Sequence, residues 1–370
     1  MSRVRAVELR VVGLPLARPF RTSFGIETDK ECILARVETD DAHGWGECVA
    51  GVAPKFSEEF NESAWLVLRE FLVPALLAAG DVTAGDLGRV FGGIRGHPMA
   101  KATLSNALMD AELRTEGRSL AAFLGADKDR VACGVSVGIT PTTEELLEQV
   151  AGYIAEGYRR IKLKIAPGFD VARVGAVRQA HPDATLSADA NAAYTLEDVG
   201  VFRALDDLGL LMVEQPLPED DLVAHAKLQE RISTAVCLDE SIRSVADAAA
   251  ALELGACRIV NVKQGRVGGL LEARRVHDIA RSQEVPVWCG GMLETGVGRA
   301  ANLALAALPG FTLPGDTSAS KRYFADDLTE PFEMATDGTI AVPSGPGIGV
   351  EPRADRLTAC TRRVERLKKE

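Results

Sequence analysis

"RIKLKIAPG", Arg160 to Gly168, sets two lysines one residue apart inside an apolar run. Ile161, Leu163 and Ile165 alternate with Arg160, Lys162 and Lys164, the period of two that marks a β-strand. Successive side chains on a strand point to opposite faces, so Lys162 and Lys164 share one. On an edge strand that face meets water, and two solvated lysines carry no message. On a strand covered from both sides they are two amines aimed into the protein. The choice between these rests on the strand's neighbours.

From about residue 131 the chain repeats a unit of roughly twenty-five residues: a short apolar run, a turn and an amphipathic helical stretch. The runs are "VACGVSVG" (131–138), "RIKLKI" (160–165), "TLSADAN" (185–191), "LMVEQP" (211–216), "AVCLDES" (235–241), "RIVNVKQ" (258–264), "PVWCGGM" (286–292) and "FTLPGD" (311–316). Eight short strands alternating with helices imply parallel pairing through right-handed crossovers, and strands buried on both faces. The fold class is therefore α/β, a TIM-like barrel. No clear helix follows the last run, so the form expected is (β/α)7β. The first 130 residues read differently, with "VRAVELRVVGLPL", "CILARVETD" and "GWGECVA" as a meander of strands and two helical stretches after them. That is an α+β pattern. The expected division is an α+β domain over 1–125, the barrel over 126–318 and a C-terminal segment over 319–370.

Polar residues at the carboxyl ends of barrel strands face the active site. The runs place Lys162 and Lys164 on the second strand, Asp189 on the third, Glu214 on the fourth, Asp239 on the fifth and Lys263 on the sixth. From Lys164 onward the separations are 25, 25, 25 and 24 residues, so a charged residue recurs at one height on five consecutive strands. Singly, each has an ordinary reading as a turn former, a helix cap or an exposed lysine. Together they make a site. Three carboxylates on adjacent strands suit a hard divalent cation such as Mg²⁺, with Mn²⁺ as a substitute. Lysines from strands two and six would flank the ion, and a like-charged neighbour such as Lys162 lowers the pKa of Lys164. A tuned lysine beside a cation that stabilises an oxyanion removes a proton α to a carboxylate.

Several function classes drop out. A formal charge of −11 argues against a nucleic-acid surface. No window offers the ~20 apolar residues of a membrane span, and the N-terminus lacks a signal-peptide core. Seven cysteines without a C-x-x-C pair indicate a reducing, cytoplasmic setting. The five histidines have no zinc-like spacing. No G-x-S-x-G elbow is present, and "GPGIGV" (345–350) follows no strand–helix unit and reads as a turn. The basic run "TRRVERLKKE" at the C-terminus reads as a solvated helix face.

With Lys162-x-Lys164, Asp189-x-Asn191, Glu214-Gln215-Pro216, Asp239-Glu240 and Lys263, the chain resembles the enolase superfamily in its muconate-lactonizing subgroup. "KLKIAPG", "NVKQGRVGG", "GGMLETGVGRA" and "LPGDTSASKRYF" resemble the o-succinylbenzoate synthase / N-acylamino acid racemase family. The resemblance implies an α+β capping domain, a (β/α)7β barrel and a C-terminal segment returning to the cap. It implies α-proton abstraction from a small carboxylate bearing a succinyl group, giving an enediolate stabilised by Mg²⁺. Loss of a hydroxyl as water is then synthase chemistry, a dehydration of menaquinone biosynthesis, and return of the proton from the other face is racemase chemistry. A dedicated N-acylamino acid racemase is the nearest alternative, with dipeptide epimerase and muconate cycloisomerase behind it. By position, Lys164 matches the base, Lys162 its tuning partner, Lys263 the opposite-face lysine, and Asp189, Glu214 and Asp239 the metal ligands. Ser136, Asn191, Gly291, Met292 and Leu293 are candidates for substrate contact, and the loops around "RPFRTSFGIETDK" and "AGVAPKF" for closure over it. Arg266 is expected to modulate Lys263 by lying near its amine. The alternatives are a surface arginine, or one paired with Glu240 or Glu294. A homo-oligomer is expected, and no nucleic-acid or membrane partner.

Overall fold

The structure is a computed structural model that describes residues 2–22 and 25–369. Three antiparallel strands open the chain: β1 (Ser2–Thr22), β2 (Gly25–Thr39) and β3 (His43–Cys48). Their apolar residues, Val7, Leu9, Val12, Ile33, Leu34 and Val37 among them, are fully buried. Helix α1 (Pro98–Glu116) lies against this sheet so closely that a Cβ on Gly46 would come within 2.0 Å of the Thr103 carbonyl oxygen. Only glycine allows that approach.

The barrel strands are β4 (Gly134–Val137), β5 (Arg160–Lys164), β6 (Leu186–Asp189), β7 (Val213–Glu214), β8 (Val236–Leu238), β9 (Ile259–Val262) and β10 (Val287–Cys289). They pair in parallel and in sequence order, and a helix follows each. The eighth run, "FTLPGD", forms no extended strand but closes the ring by single bridges, Phe311 to Val287 on one side and Gly315 to Cys133 on the other. Gly134 donates its amide to the Gly315 carbonyl at 2.6 Å, and Asp316 donates to that of Cys289 at 2.9 Å. A short turn of helix at Ser320–Arg322 follows in place of an eighth α-helix, as (β/α)7β requires. β5 is thus an interior strand, and its residues from Arg160 to Leu163 are buried.

Two expectations need correction. The first run divides: Arg130–Ala132 pairs with Thr339–Ala341 in a separate antiparallel ribbon, and only Gly134–Val137 joins the barrel. The basic C-terminal run is not a helix face but strand β11 (Thr361–Lys368), paired antiparallel with β1 from Ala6–Lys368 to Val11–Arg363. Its arginines face solvent and meet acids across the sheet, as Arg362 does with Glu31 at 2.6 Å. Charge content alone had suggested a helix. Among the described residues no helix is long and apolar enough to cross a membrane. All seven cysteines are buried and unpaired.

Candidate active site

The parallel register brings the strand-end residues level. Lys164 stands opposite Asp189, and Asp189 opposite Glu214. Asp239 and Lys263 follow their strands by one residue. All three carboxylates are at most 1% exposed. Lys162 Nζ lies between two of them, 3.1 Å from Asp189 and 2.9 Å from Glu214, and reaches Asp316 at 2.8 Å. Lys164 Nζ donates to Asp189 at 2.7 Å and to Asn191 Oδ1 at 2.6 Å. Lys263 Nζ donates to Asp239 at 2.8 Å. The two outer lysines therefore reach the site from the second and sixth strands, each on its own carboxylate.

Electrostatics follow from this arrangement. Burial opposes the charge of Lys162, but Asp316, Glu214 and Asp189 outweigh it and hold the amine well above its ordinary range. Its charge is shared among three carboxylates. Asp189 is held well below the usual carboxylate range: Lys164 and Lys162 overcome its desolvation. Glu214 is raised, by burial first and then by the charge of Asp189.

Arg266 is neither at the surface nor paired with Glu240 or Glu294. It is 3% exposed and forms an ion pair with Asp239 Oδ1, while Lys263 holds Oδ2 of the same carboxylate. Its guanidinium also donates to the carbonyls of Ile242 and Asn261, both at 2.7 Å. The turn after β9 folds back toward β8, and this carries the arginine inward.

Above these groups lies a cavity of about 330 Å³ between barrel and cap. Ser136, Asn191, Gly291, Met292 and Leu293 all line it. The cap contributes Phe20 and Thr22 from the end of β1, residues 26–31 from the start of β2, and Val52, Lys55 and Phe56 from the loop after β3. Ser23 and Phe24 lie outside the described residues.

As donors, the three buried carboxylates are all oxygen, the set that a hard divalent cation takes. Two further oxygens, Glu240 Oε2 and Asn261 Oδ1, are buried beside them without a hydrogen-bond partner. Glu240 is pushed up to about 7 by burial and then by Asp189. The chemistry of the set fits Mg²⁺ or Mn²⁺. The spacing is the one set by the lysine amines, and among the described residues no three ligating side chains stand close enough to enclose an ion.

Known proteins with the same arrangement bear on its chemistry. The model for enolase C-terminal domain-like proteins matches residues 145–356. An N-succinylamino acid racemase from an Amycolatopsis species is 54% identical over 97% of this chain and 98% of its own. The chain belongs to the enolase superfamily. An o-succinylbenzoate synthase from Geobacillus kaustophilus is 50% identical over 94% of this chain and 93% of its own. A solved enolase-superfamily structure from Listeria innocua superposes with a TM-score of 0.95 at 41% identity, covering all of both chains. This superfamily member thus resembles proteins carrying each of two reaction names.

Its site contains residues that the strand-end pattern had not picked out. Arg160, two residues before Lys162 on the same face, lies 2.6 Å from Asp316 and stacks over Trp288 at 4.4 Å. Asn261, two before Lys263, donates to Glu214 at 2.6 Å. Period-two register, extended backward along each strand, points to both. Asp316 was harder to find, since its segment is held by bridges rather than a regular ladder. Gln215, at a positive φ of 36°, accepts from the Asp239 amide at 3.0 Å and so locks two neighbouring strand ends together.

Proposed function

We propose that this enolase-superfamily enzyme abstracts the proton α to a carboxylate from a small succinyl-bearing substrate, as an o-succinylbenzoate synthase that also racemises N-succinylamino acids. The observation that carries this reading is the pair Lys164 and Lys263. Their amines enter one cavity from the second and sixth barrel strands, each hydrogen-bonded to a different carboxylate. Proton transfer at both faces of one carbon needs such a pair. The names of the relatives, synthase and racemase, support the same choice.

Asp189, Glu214 and Asp239 would hold Mg²⁺ or Mn²⁺. When bound, the cation supplies positive charge against the developing enediolate. Lys164 takes the α-proton. In the dehydration it then returns a proton to the departing hydroxyl, and Lys263 contributes charge beside the anion. In racemisation Lys263 delivers a proton to the opposite face. Lys162, gripped by three carboxylates, keeps its charge throughout and fixes their positions. Asn191 orients Lys164 through its 2.6 Å hydrogen bond. The cap loops keep water from the carbanionic carbon. A dedicated racemase is the second reading, favoured by the 54% identity to the Amycolatopsis protein.

The test uses protein stripped with a chelator, then supplied with Mg²⁺ or Mn²⁺. Dehydration, racemisation and deuterium incorporation at Cα are followed in heavy water. Activity restored by either ion, with Cα exchange on succinyl substrates, is the expected result. Full turnover after exhaustive chelation would remove the metal from the scheme. Metal-replete protein without Cα exchange would remove the reaction.

A further inference from the structure

The barrel supplies positive charge to the reacting end of the cavity, yet a buried cation also lines it from the cap side. Lys30, on β2, is 5% exposed. Its Nζ donates to two neutral backbone oxygens, of Met292 at 2.9 Å and Val49 at 3.4 Å. Among the described residues it forms no ion pair. An ammonium has three donors, so one remains for the cavity. Glu47, the buried acid on neighbouring β3, is already engaged by the Thr295 hydroxyl at 2.6 Å and by the amides of Thr295 and Gly298. Glu31 beside it is taken by Arg362. Glu47 feels the Lys30 charge but makes no ion pair with it, so the buried ammonium is only partly compensated, and a fold that keeps one at a cavity wall can recover the remaining cost when an anion arrives.

We infer that Lys30 recognises the distal carboxylate of a dicarboxylate substrate, the one at the far end of the acyl arm from the reacting carbon. This rests on the proposed reading for the succinyl arm itself. Lys30 is a specificity residue and takes no part in proton transfer. It also gives the cap a part in choosing the substrate. The amine that meets the anion is tethered to Met292 on the barrel loop, so an arm of the right length satisfies cap and barrel together. Lys55 lines the same cavity but is exposed, where solvent weakens any pairing.

The experiment compares an N-succinylamino acid with its terminal carboxamide, which keeps the shape and removes the charge. Wild-type protein is expected to prefer the carboxylate by about tenfold or more in kcat/KM, chiefly through KM. Lys30→Gln should lose that preference, with about a tenfold drop for the succinyl substrate and a change within about twofold for the carboxamide. Lys30→Arg should keep most of it. Equal losses on both substrates in Lys30→Gln would overturn the assignment. Should Lys30→Gln fail to fold, a wild-type preference near one would overturn it and the expected preference would support it. Calorimetry of succinate against butyrate separates this inference from the reaction itself. If no succinyl compound is turned over, the reaction reading fails. Even then, tighter succinate binding by wild type than by Lys30→Gln upholds Lys30, and equal binding ends it.

Discussion

Barrel and cap each bury charges, but they neutralise them in different ways. The buried cations on the barrel strands and the turn after β9 meet carboxylates: Lys162 meets three, Lys263 and Arg266 share Asp239, and Arg160 holds Asp316. In the cap, buried acids meet backbone amides. Glu47 receives the amides at the start of helix α2 (Gly296–Ala306), and Glu59 those of Met99 and Ala100 at the start of α1, both at 2.8 Å. The consequences run in opposite directions. Asp316 is drawn down to about 2 by Lys162 and Arg160 against its desolvation. Glu59 is pushed up to about 7 by burial, with the amides only partly compensating. Ion pairs are exchangeable, since a substrate or cation can take a partner's place. Amides fixed in a helix terminus are not, and they serve to anchor. The molecule keeps its exchangeable charges where chemistry is proposed and its fixed ones at helix starts, within the cap for Glu59 and between cap and barrel for Glu47.

That contrast can be broken most decisively at Lys164. Lys164→Ala should cut both dehydration and racemisation by about 10³-fold while the fold persists, because Asp189 keeps Lys162. A loss under tenfold would show that the base is elsewhere. Next comes Glu47→Ala, which strands the Thr295 hydroxyl and two amides at the joint. It should cost about 2–4 kcal/mol in denaturant unfolding. If the loss appeared only in kcat, the distinction between anchoring and exchangeable charge would collapse. Smaller again is the split at Lys263. Lys263→Arg should keep about tenfold more dehydration than racemisation, since charge suffices for one and proton delivery is needed for the other. Equal losses would remove the division of labour.

The last effect is in pH dependence. Glu59 titrates at about 7 in the folded protein against 4.5 ordinarily, so the unfolded chain releases this proton first as pH rises. Its contribution is therefore full below 4.5 and declines toward pH 7. The swing should be at most about 3 kcal/mol, and Glu59→Gln should flatten it. Asp316 has the reverse sign, with its contribution full above 3.8 and lost as pH falls toward about 2. An unchanged unfolding profile in Glu59→Gln would mean that helix α1 does not depend on that carboxylate's charge.

What was legible in the sequence follows the same boundary. The 25-residue spacing of Lys164, Asp189, Glu214 and Asp239 is a direct image of a parallel register, because each strand–helix unit advances the chain by a near-constant length. A closed (β/α)7β ring could be read from it. The lysine pair on β5 could be placed inside for the same reason. Residues whose partners come from irregular backbone could not. Asp316 sits on a segment held by two bridges, and Arg266 reaches Asp239 only because a turn folds back. Lys30 looked like one polar residue in a cap loop, since nothing in "TDKEC" says that its neighbours are carbonyls. Strand β11 was misread because a short run dense in arginine and glutamate scores as a helix until its partner β1 is known.

The eighth segment carries a kinetic implication. Seven strands are zipped to one another, whereas Phe311 and Gly315 are stations between which the ladder is missing. Asp316, one residue beyond the second station, is the carboxylate that Arg160 and Lys162 hold from β5. A seam of this kind behaves as a latch. Its amides should be the first of the ring to trade hydrogen for deuterium, at a rate governed by two ion pairs rather than by strand pairing. The ring would then breathe at the eighth segment, and Asp316→Asn would be felt as faster exchange there before any loss of overall stability.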